Sequence, residues 1–134
     1  MRLKNFSLNY GVQIYKAFSE SSRVRIINIL FTFGKATTSD LELILDFSQA
    51  KTSRHLIYLK NSGILSIEKR DQWVFYSIKE EVMDIIAQMI KFIEKDSLLL
   101  NDLETCKVLL SNRELALNKV EKQKYIAKKN TNNI

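Results

Sequence analysis

Apolar residues recur at helical spacing through the first part of the chain. The stretch YGVQIYKAF, residues 10–18, predicts a short, mostly apolar first helix that needs cover on more than one side. The stretch SRVRIINILFTF predicts a second helix that begins at Ser21 or Ser22. This helix is predicted to end at Gly34, because glycine commonly supplies the left-handed residue that closes a helix.

Two further helices follow with almost no chain between them. The third is predicted to begin at Thr37, because Thr37 and Asp40 fit the Ser/Thr-x-x-Asp/Glu pattern of a helix start. The fourth is predicted to begin at Ser48, whose hydroxyl can accept from a backbone N–H of the first turn, and to stop at Gly63. Since only two residues separate these helices, they must meet at a sharp angle, which is the helix-turn-helix arrangement.

The fourth helix has one narrow inner face and one polar outer face. Gln49, Thr52, Leu56 and Leu59 recur at three- and four-residue spacing and are predicted to face the core. The outer face and its flanks carry Ala50, Lys51, Ser53, Arg54, His55 and Tyr58. A short helix with donors on its outer face fits the major groove of DNA. On this helix alone, an ordinary solvated face remains the alternative.

A basic hairpin is predicted directly after the fourth helix. Residues 64–68 alternate loosely and residues 73–78 are aromatic and β-branched, so both stretches are predicted to be strands. The loop between them holds Lys69, Arg70, Asp71 and Gln72. Aspartate tolerates the left-handed conformation that a tight hairpin needs, so this loop is predicted to protrude as a wing. Trp73 is expected to pack in the core or against the hairpin.

From residue 80 the pattern predicts a long helix whose apolar residues follow a four-three spacing that is interrupted at Asp96 and Arg113. Residues 111–114 also fit a capping box, so a helix end near Leu110 stays open as an alternative. Such a wide apolar face needs a partner surface, so we expect a dimer through this helix and the first one. The expected interface residues are Val12, Tyr15, Ile85, Ile86, Met89, Phe92, Ile93, Leu99 and Leu103. The alternative is a helix that folds back on its own domain. The predicted division is a DNA-binding domain at 1–79, a dimerisation helix at 80–110 and a basic helical or disordered tail at 111–134.

The charge distribution favours a polyanionic partner. The formal net charge is +6 over 134 residues, and residues 1–79 carry twelve Lys/Arg against six Asp/Glu. The single cysteine, Cys106, excludes an internal disulfide, and no apolar run is long enough to cross a membrane. The N-terminus lacks the apolar core of a signal peptide, so a cytoplasmic setting is expected. No catalytic grouping is visible in the sequence, so an enzyme is not expected.

The segment from Phe18 to Ile78 resembles the ArsR/SmtB winged-helix repressors. The matching pieces are FSESSRVRIINIL, TSDL, SQAKTSRHLIYLKNSGIL and KRDQWVFYSI. The resemblance implies a mainly α fold with a small hairpin wing, which dimerises through terminal helices and binds an inverted-repeat operator in double-stranded DNA to repress nearby genes. It places the operator-reading segment at Ser48, Gln49, Lys51, Thr52, Ser53, Arg54 and His55.

Other DNA contacts are predicted from the pattern around this segment. Lys35 and Thr38 lie at the start of the third helix, whose free N–H groups suit a phosphate. Arg23 or Arg25 is expected to meet a partner or a phosphate, and extension of these side chains into solvent is the alternative. The further contacts are Ala50 and Tyr58 on the outer face and Lys69, Arg70 and Gln72 in the wing.

The chain departs from the family at the places that bind metal. Members that sense thiophilic metals or arsenic carry Cys-x-Cys just before the Asp-Leu of the third helix, where this chain has Thr37 and Ser39. Hydroxyls are poor ligands for soft ions, and no histidine follows His55, so we expect a metal-independent regulator without a cofactor. Two alternatives stay open: a protein-interaction module working through its C-terminal helix, and a regulator that responds to oxidation of Cys106. An unidentified effector between the protomers also stays open.

Overall fold

The computed structural model describes residues 4–113. The tail predicted at 111–134 therefore lies almost entirely outside the described residues. Within 4–113, no helix is both long and apolar enough to span a membrane.

The helical part has the predicted order, with bounds set by local caps. The helices are α1 (Leu8–Ala17), α2 (Ser21–Phe33), α3 (Thr38–Leu45), α4 (Gln49–Asn61), α5 (Met83–Lys91), which follows a 3₁₀ turn at Glu80–Val82, and α6 (residues 97–113). The Ser7 hydroxyl accepts from the Tyr10 N–H at 3.1 Å, so α1 begins two residues earlier than predicted. Gly34 closes α2 with φ 96°, as predicted.

A three-stranded antiparallel sheet completes the fold. Its strands are β1 (Lys35–Ala36), β2 (Leu65–Arg70) and β3 (Trp73–Ile78), in the order β1-β3-β2. β1 was not predicted, because two residues carry no alternation of apolar and polar positions. Arg70 pairs with Trp73, which leaves only Asp71 and Gln72 in the turn. Lys69 and Arg70 therefore belong to a strand rather than to the loop, and Asp71 has the expected left-handed conformation with φ 55°.

The core is built around α2. Its residues Ile26, Ile27, Ile29 and Leu30 are all almost completely buried, so α2 is covered on nearly every side. The buried apolar side chains of α4 and α5 belong to the same apolar cluster. Burial of this cluster supplies the main favourable free energy of folding, at about 25 cal/mol per Å² of apolar surface. Because α2 is fixed in this way, it is the platform against which α4 is positioned.

The helix expected over residues 80–110 is divided into two. Residues 92–96 form turns, and α6 begins after Asp96, whose carboxylate accepts from the N–H groups of Leu98 at 2.9 Å and Leu99 at 3.3 Å. The break falls where the sequence pattern was interrupted. Since α5 is covered by α2 and α6 packs back onto the domain, the alternative of a helix that folds back describes this region better.

The residues expected at a dimer interface fall into three groups. Ile86 and Leu99 are core residues of the single chain, with exposed fractions of 0% and 5%, so they offer no surface to a partner and this part of the prediction is wrong. Tyr15 and Phe92 are largely exposed, at 72% and 82%. The partly buried residues are Val12, Ile85, Met89, Ile93 and Leu103.

Candidate DNA-binding surface

The helix-turn-helix is formed by α3, a three-residue turn and α4. The Thr37 hydroxyl accepts from the Asp40 N–H at 3.1 Å and the Asp40 carboxylate accepts from the Thr37 N–H at 3.0 Å, which is the predicted capping box. Asp46 ends α3 in the left-handed conformation, with φ 56°. Ser48 then caps α4 by accepting from the Lys51 N–H at 3.1 Å, as predicted. These local bonds define where each helix begins and where α3 ends.

The inner face of α4 differs from the predicted face at its edges. Thr52, Leu56 and Leu59 are buried as expected, but Gln49 is exposed and His55 is buried. Thr52 also donates its hydroxyl to the Ser48 carbonyl at 2.9 Å. Thr52 and His55 are thus not free for DNA, and the prediction that they contact it is wrong. Gln49 does not pack in the core, so its side chain is available on the outer face of α4.

The outer face of α4 carries most of the other predicted groups. Ser48, Gln49, Ala50, Arg54 and Tyr58 are exposed, whereas Lys51 and Ser53 are partly buried. Ile57 was missed by sequence reasoning, although it is 57% exposed on this face. Once Thr52, Leu56 and Leu59 are assigned to the core, helical spacing alone turns Ile57 outward beside Arg54. A methyl-rich side chain here can contact a thymine methyl group.

His55 braces α4 against the start of α2. Its Nδ1 atom lies 3.5 Å from Oε2 of Glu20, which is the N-cap residue of α2. Burial lowers the pKa of His55, and the cations of Arg54, Arg23 and Lys51 add to this effect against the opposing influence of Glu20. The imidazole is therefore neutral near pH 7, and the contact is not an ion pair under those conditions. His55 therefore contributes to holding α4 against the start of α2.

The basic residues of α2 are used inside the molecule. Arg23 donates from Nε to the Ala17 carbonyl at 3.1 Å and from Nη2 to the Lys16 carbonyl at 2.8 Å, so it satisfies the end of α1. Its guanidinium also lies 4.1 Å from the ring centroid of Tyr58. Arg25 is bound to Asp102 of α6. Both arginines therefore meet intramolecular partners, and the expectation of a phosphate contact at these positions is not supported.

The tip of the wing presents its cations to solvent. Lys69, Arg70 and Gln72 are exposed. The Arg70 Nε donates to Oε1 of Glu68 at 2.8 Å, and this contact lowers the pKa of the Glu68 carboxyl. Because the pair is fully solvated, Arg70 can exchange Glu68 for another anion. Trp73 is 50% exposed, so it is not a core residue.

The start of α3 is more enclosed than the sequence indicated. Thr38 is partly buried, and Asp40 is bound to Arg113 of α6. Lys35 on β1 is exposed, with its Nζ atom 5.0 Å from the ring centroid of Phe75. Lys35 thus stays available to a phosphate, whereas the start of α3 is already partly covered by a cation of the chain itself.

The residues present do not form a metal site. Among residues 4–113, no three His, Cys, Asp or Glu side chains cluster in a way that could hold a metal ion. The hydroxyls of Thr37 and Ser39 occupy the places of the family's thiolate ligands, and Thr37 is committed to the capping box. Cys106 is buried, and burial raises its pKa to about 11, so its thiol is neither a ready ligand nor a ready redox group.

A helix-turn-helix followed by an antiparallel hairpin defines a winged helix-turn-helix protein. The sequence profile of the bacterial regulatory protein, arsR family, matches residues 20–66. The arsenical resistance operon repressor of Escherichia coli K12 is 34% identical over 79 residues, which are 59% of this chain and 68% of that protein. The transcriptional repressor SdpR of Bacillus subtilis 168 is 32% identical over 83 residues, 61% of this chain and 91% of SdpR. The chain belongs to the arsR family of bacterial regulatory proteins.

Solved structures agree with this assignment. HlyU from Vibrio cholerae N16961 superposes with a TM-score of 0.57 at 27% identity, over 62% of this chain and 90% of HlyU. The homodimeric winged helix-turn-helix DNA-binding domain of Mb0332 from Mycobacterium bovis superposes with a TM-score of 0.59, over 66% of this chain and 82% of that domain. At 19% identity, the second likeness supports the fold alone.

Proposed function

We propose that the chain is a homodimeric, sequence-specific DNA-binding transcriptional regulator of the cytoplasm that acts as a repressor without a metal cofactor. The observation that carries this proposal is the outer face of α4. It presents Gln49, Lys51 and Arg54, the wing carries further exposed cations, and side-chain caps define the start of α3 and of α4. The repressor role is supported by the relatives named above.

The contacts divide into two kinds. Lys51 and Arg54 can donate to guanine, and Gln49, which is exposed, can bridge adenine. Lys35, Lys69 and the wing residues Arg70 and Gln72 suit phosphates or the adjacent minor groove, and they would set the register of the protein on the duplex. Ser48, Ala50, Ser53, Ile57 and Tyr58 line the same helix surface and would complete its fit to the groove.

The homodimer is supported by exposed apolar surface at the ends of the domain. Tyr15 on α1 and Phe92 after α5 are both largely exposed although they are aromatic. An inverted repeat would follow from a two-fold axis that relates two α4 helices. The proposed interface therefore comprises α1 and the end of α5, without Ile86 and Leu99.

Selection of binding sites from a random duplex library tests the proposal. It is run at moderate salt, with and without a chelator. The proposal predicts one inverted repeat, enriched equally in both conditions. Enrichment only in the absence of chelator would contradict metal independence. No enriched motif, with weak and steeply salt-dependent binding, would contradict sequence-specific recognition and favour a protein-interaction role for α5 and α6.

A further inference from the structure

One face of α6 contacts α2 beside the turn of the helix-turn-helix and also contacts the start of α3. Its first contact is a bidentate ion pair between the guanidinium of Arg25 and the carboxylate of Asp102. Nε donates to Oδ2 at 2.8 Å and Nη2 donates to Oδ1 at 2.9 Å. The Asp102 side chain is only 1% exposed. A buried carboxylate with this geometry fixes the guanidinium in one position.

The fixed guanidinium reaches the turn before α4. It lies 5.2 Å from the ring centroid of Phe47, which is the middle residue of the turn between α3 and α4. The ammonium of Lys51 lies 4.1 Å from the same ring centroid. Asp102 therefore contacts Arg25, Arg25 contacts Phe47, and Phe47 contacts Lys51. This series of contacts links α6 to a side chain on the outer face of α4.

The second contact of α6 lies at the start of α3. Arg113 is bound to the carboxylate of Asp40, which is itself part of the capping box of α3. Cys106, between the two ion pairs on the same face of α6, is buried in the core. The described part of α6 thus packs on the domain by one face, with an ion pair on either side of Cys106.

We propose that α6 is an intramolecular brace that positions the helix-turn-helix for DNA, with Asp102 and Arg113 as its positioning residues. The inference rests on the proposed function. A turn that is already held in its binding geometry loses less conformational freedom when DNA binds, so the brace raises affinity for the cognate site. Arg113 also neutralises Asp40, a carboxylate that would otherwise repel a phosphate at the start of α3.

The test compares two variants with matched controls on the exposed face of α6. Asp102→Asn is paired with Glu104→Gln, and Arg113→Gln is paired with Lys107→Gln, since Glu104 and Lys107 are both exposed. Each folded protein is titrated with the duplex that the wild type enriches and with a scrambled duplex. The brace predicts that Asp102→Asn weakens the enriched duplex by roughly tenfold, or about 1.4 kcal/mol. The affinity of Asp102→Asn for scrambled DNA, and the salt dependence of that affinity, should stay within about twofold of the values for Glu104→Gln.

A second pair of results separates positioning from simple stability. Asp102→Glu keeps the charge, so it should discriminate between the two duplexes better than Asp102→Asn does. Arg113→Gln should weaken the enriched duplex more than Lys107→Gln does, although both remove one positive charge. If Asp102→Asn does not fold, this second comparison decides the matter, because the Arg113 side chain is 38% exposed, whereas that of Asp102 is 1% exposed.

Three outcomes overturn the inference. Folded Asp102→Asn and Arg113→Gln that bind like their controls would show that α6 plays no part in recognition. Equal weakening of both duplexes by the folded variants would show a general loss of affinity for DNA instead of positioning. Tighter binding by either variant would show that α6 restrains the reading helix. If the wild type itself did not distinguish the duplexes, the proposed function would fail first and the brace with it.

Discussion

The hydroxyl of Tyr10 in α1 donates a 2.6 Å hydrogen bond to the carbonyl oxygen of Gly63, just beyond the end of α4. Gly63 has φ 80°, and a Cβ atom added to it would lie 3.2 Å from the same hydroxyl. The end of α4 is therefore bonded to α1 at Gly63. This position favours glycine because of its backbone conformation and because a side chain there would crowd Tyr10.

The first prediction concerns this junction. Gly63→Ala should lower the free energy of unfolding by about 1–2 kcal/mol, because a Cβ disfavours the left-handed conformation and crowds Tyr10. Gly11→Ala is the matched control, since Gly11 lies inside α1 and a Cβ atom added there would have nothing within 4 Å. It should raise the stability by about 0.5–1 kcal/mol. Urea titrations measure both values, and changes of the same sign would contradict the account.

The second prediction concerns pH. The pKa of His55 is lowered from 6.5 in the folded protein, mainly by burial, so the unfolded chain binds the proton more readily. Stability should therefore fall as the pH drops below about 6.5. For Glu20, burial opposes ionisation, but hydrogen bonds from Ser22 and the nearby His55 and Arg23 lower its pKa overall. Glu20 thus stays charged in this window.

His55→Asn is the variant that tests this prediction, because its amide can replace Nδ1 near Glu20 without titrating. Urea unfolding between about pH 5.5 and 7.5 should show a smaller loss of stability on acidification for the variant than for the wild type. Parallel stability profiles would mean that His55 does not contribute to the pH dependence.

The third prediction concerns the thiol. Since burial raises the pKa of Cys106 to about 11, the group is protonated at neutral pH and shielded from reagents. A thiol-specific chromogenic reagent should label the native protein slowly and the urea-unfolded protein quickly. Affinity for DNA should be equal in mild oxidant and in reductant, for the wild type and for Cys106→Ser. Rapid native labelling with a loss of DNA affinity would restore the redox-responsive alternative.

The fourth prediction separates base recognition from phosphate contact. Arg54→Ala should cost about 1–3 kcal/mol on the enriched duplex and relax the preference at one base position. Lys69→Ala should weaken all duplexes alike and reduce the slope of log affinity against log salt by roughly one. Titrations on a panel of single-base operator variants distinguish the two patterns. Identical behaviour of both variants across the panel would show that these roles are wrongly assigned.

The local signals in the sequence were sufficient for the helix-turn-helix. Ser48, Gly63 and the Thr37–Asp40 capping box set the bounds of α3 and α4, because each acts on backbone groups within a few residues. The hairpin was also predicted, with its turn at Asp71. Even the break after α5 has a local signal, since Asp96 caps α6.

The packing of residues at the edges of the DNA-binding surface could not be predicted from local signals. His55 faces inward because Glu20 lies beside it, and no local pattern reveals a neighbour 35 positions away. The partner of Arg25 is 77 positions further along the chain, so its role in the fold was equally hidden. Such pairs depend on how the helices pack, which periodicity does not specify.

We propose that the outer face of α4 recognises a specific DNA sequence. The most direct test of this proposal is the ratio of the affinities of the wild type for the enriched duplex and for a scrambled duplex, measured by fluorescence anisotropy near physiological salt. We expect a ratio of about a thousand or more, with the enriched duplex bound by two protomers. Affinities within a few-fold of each other, falling in parallel as salt rises, would contradict sequence-specific recognition.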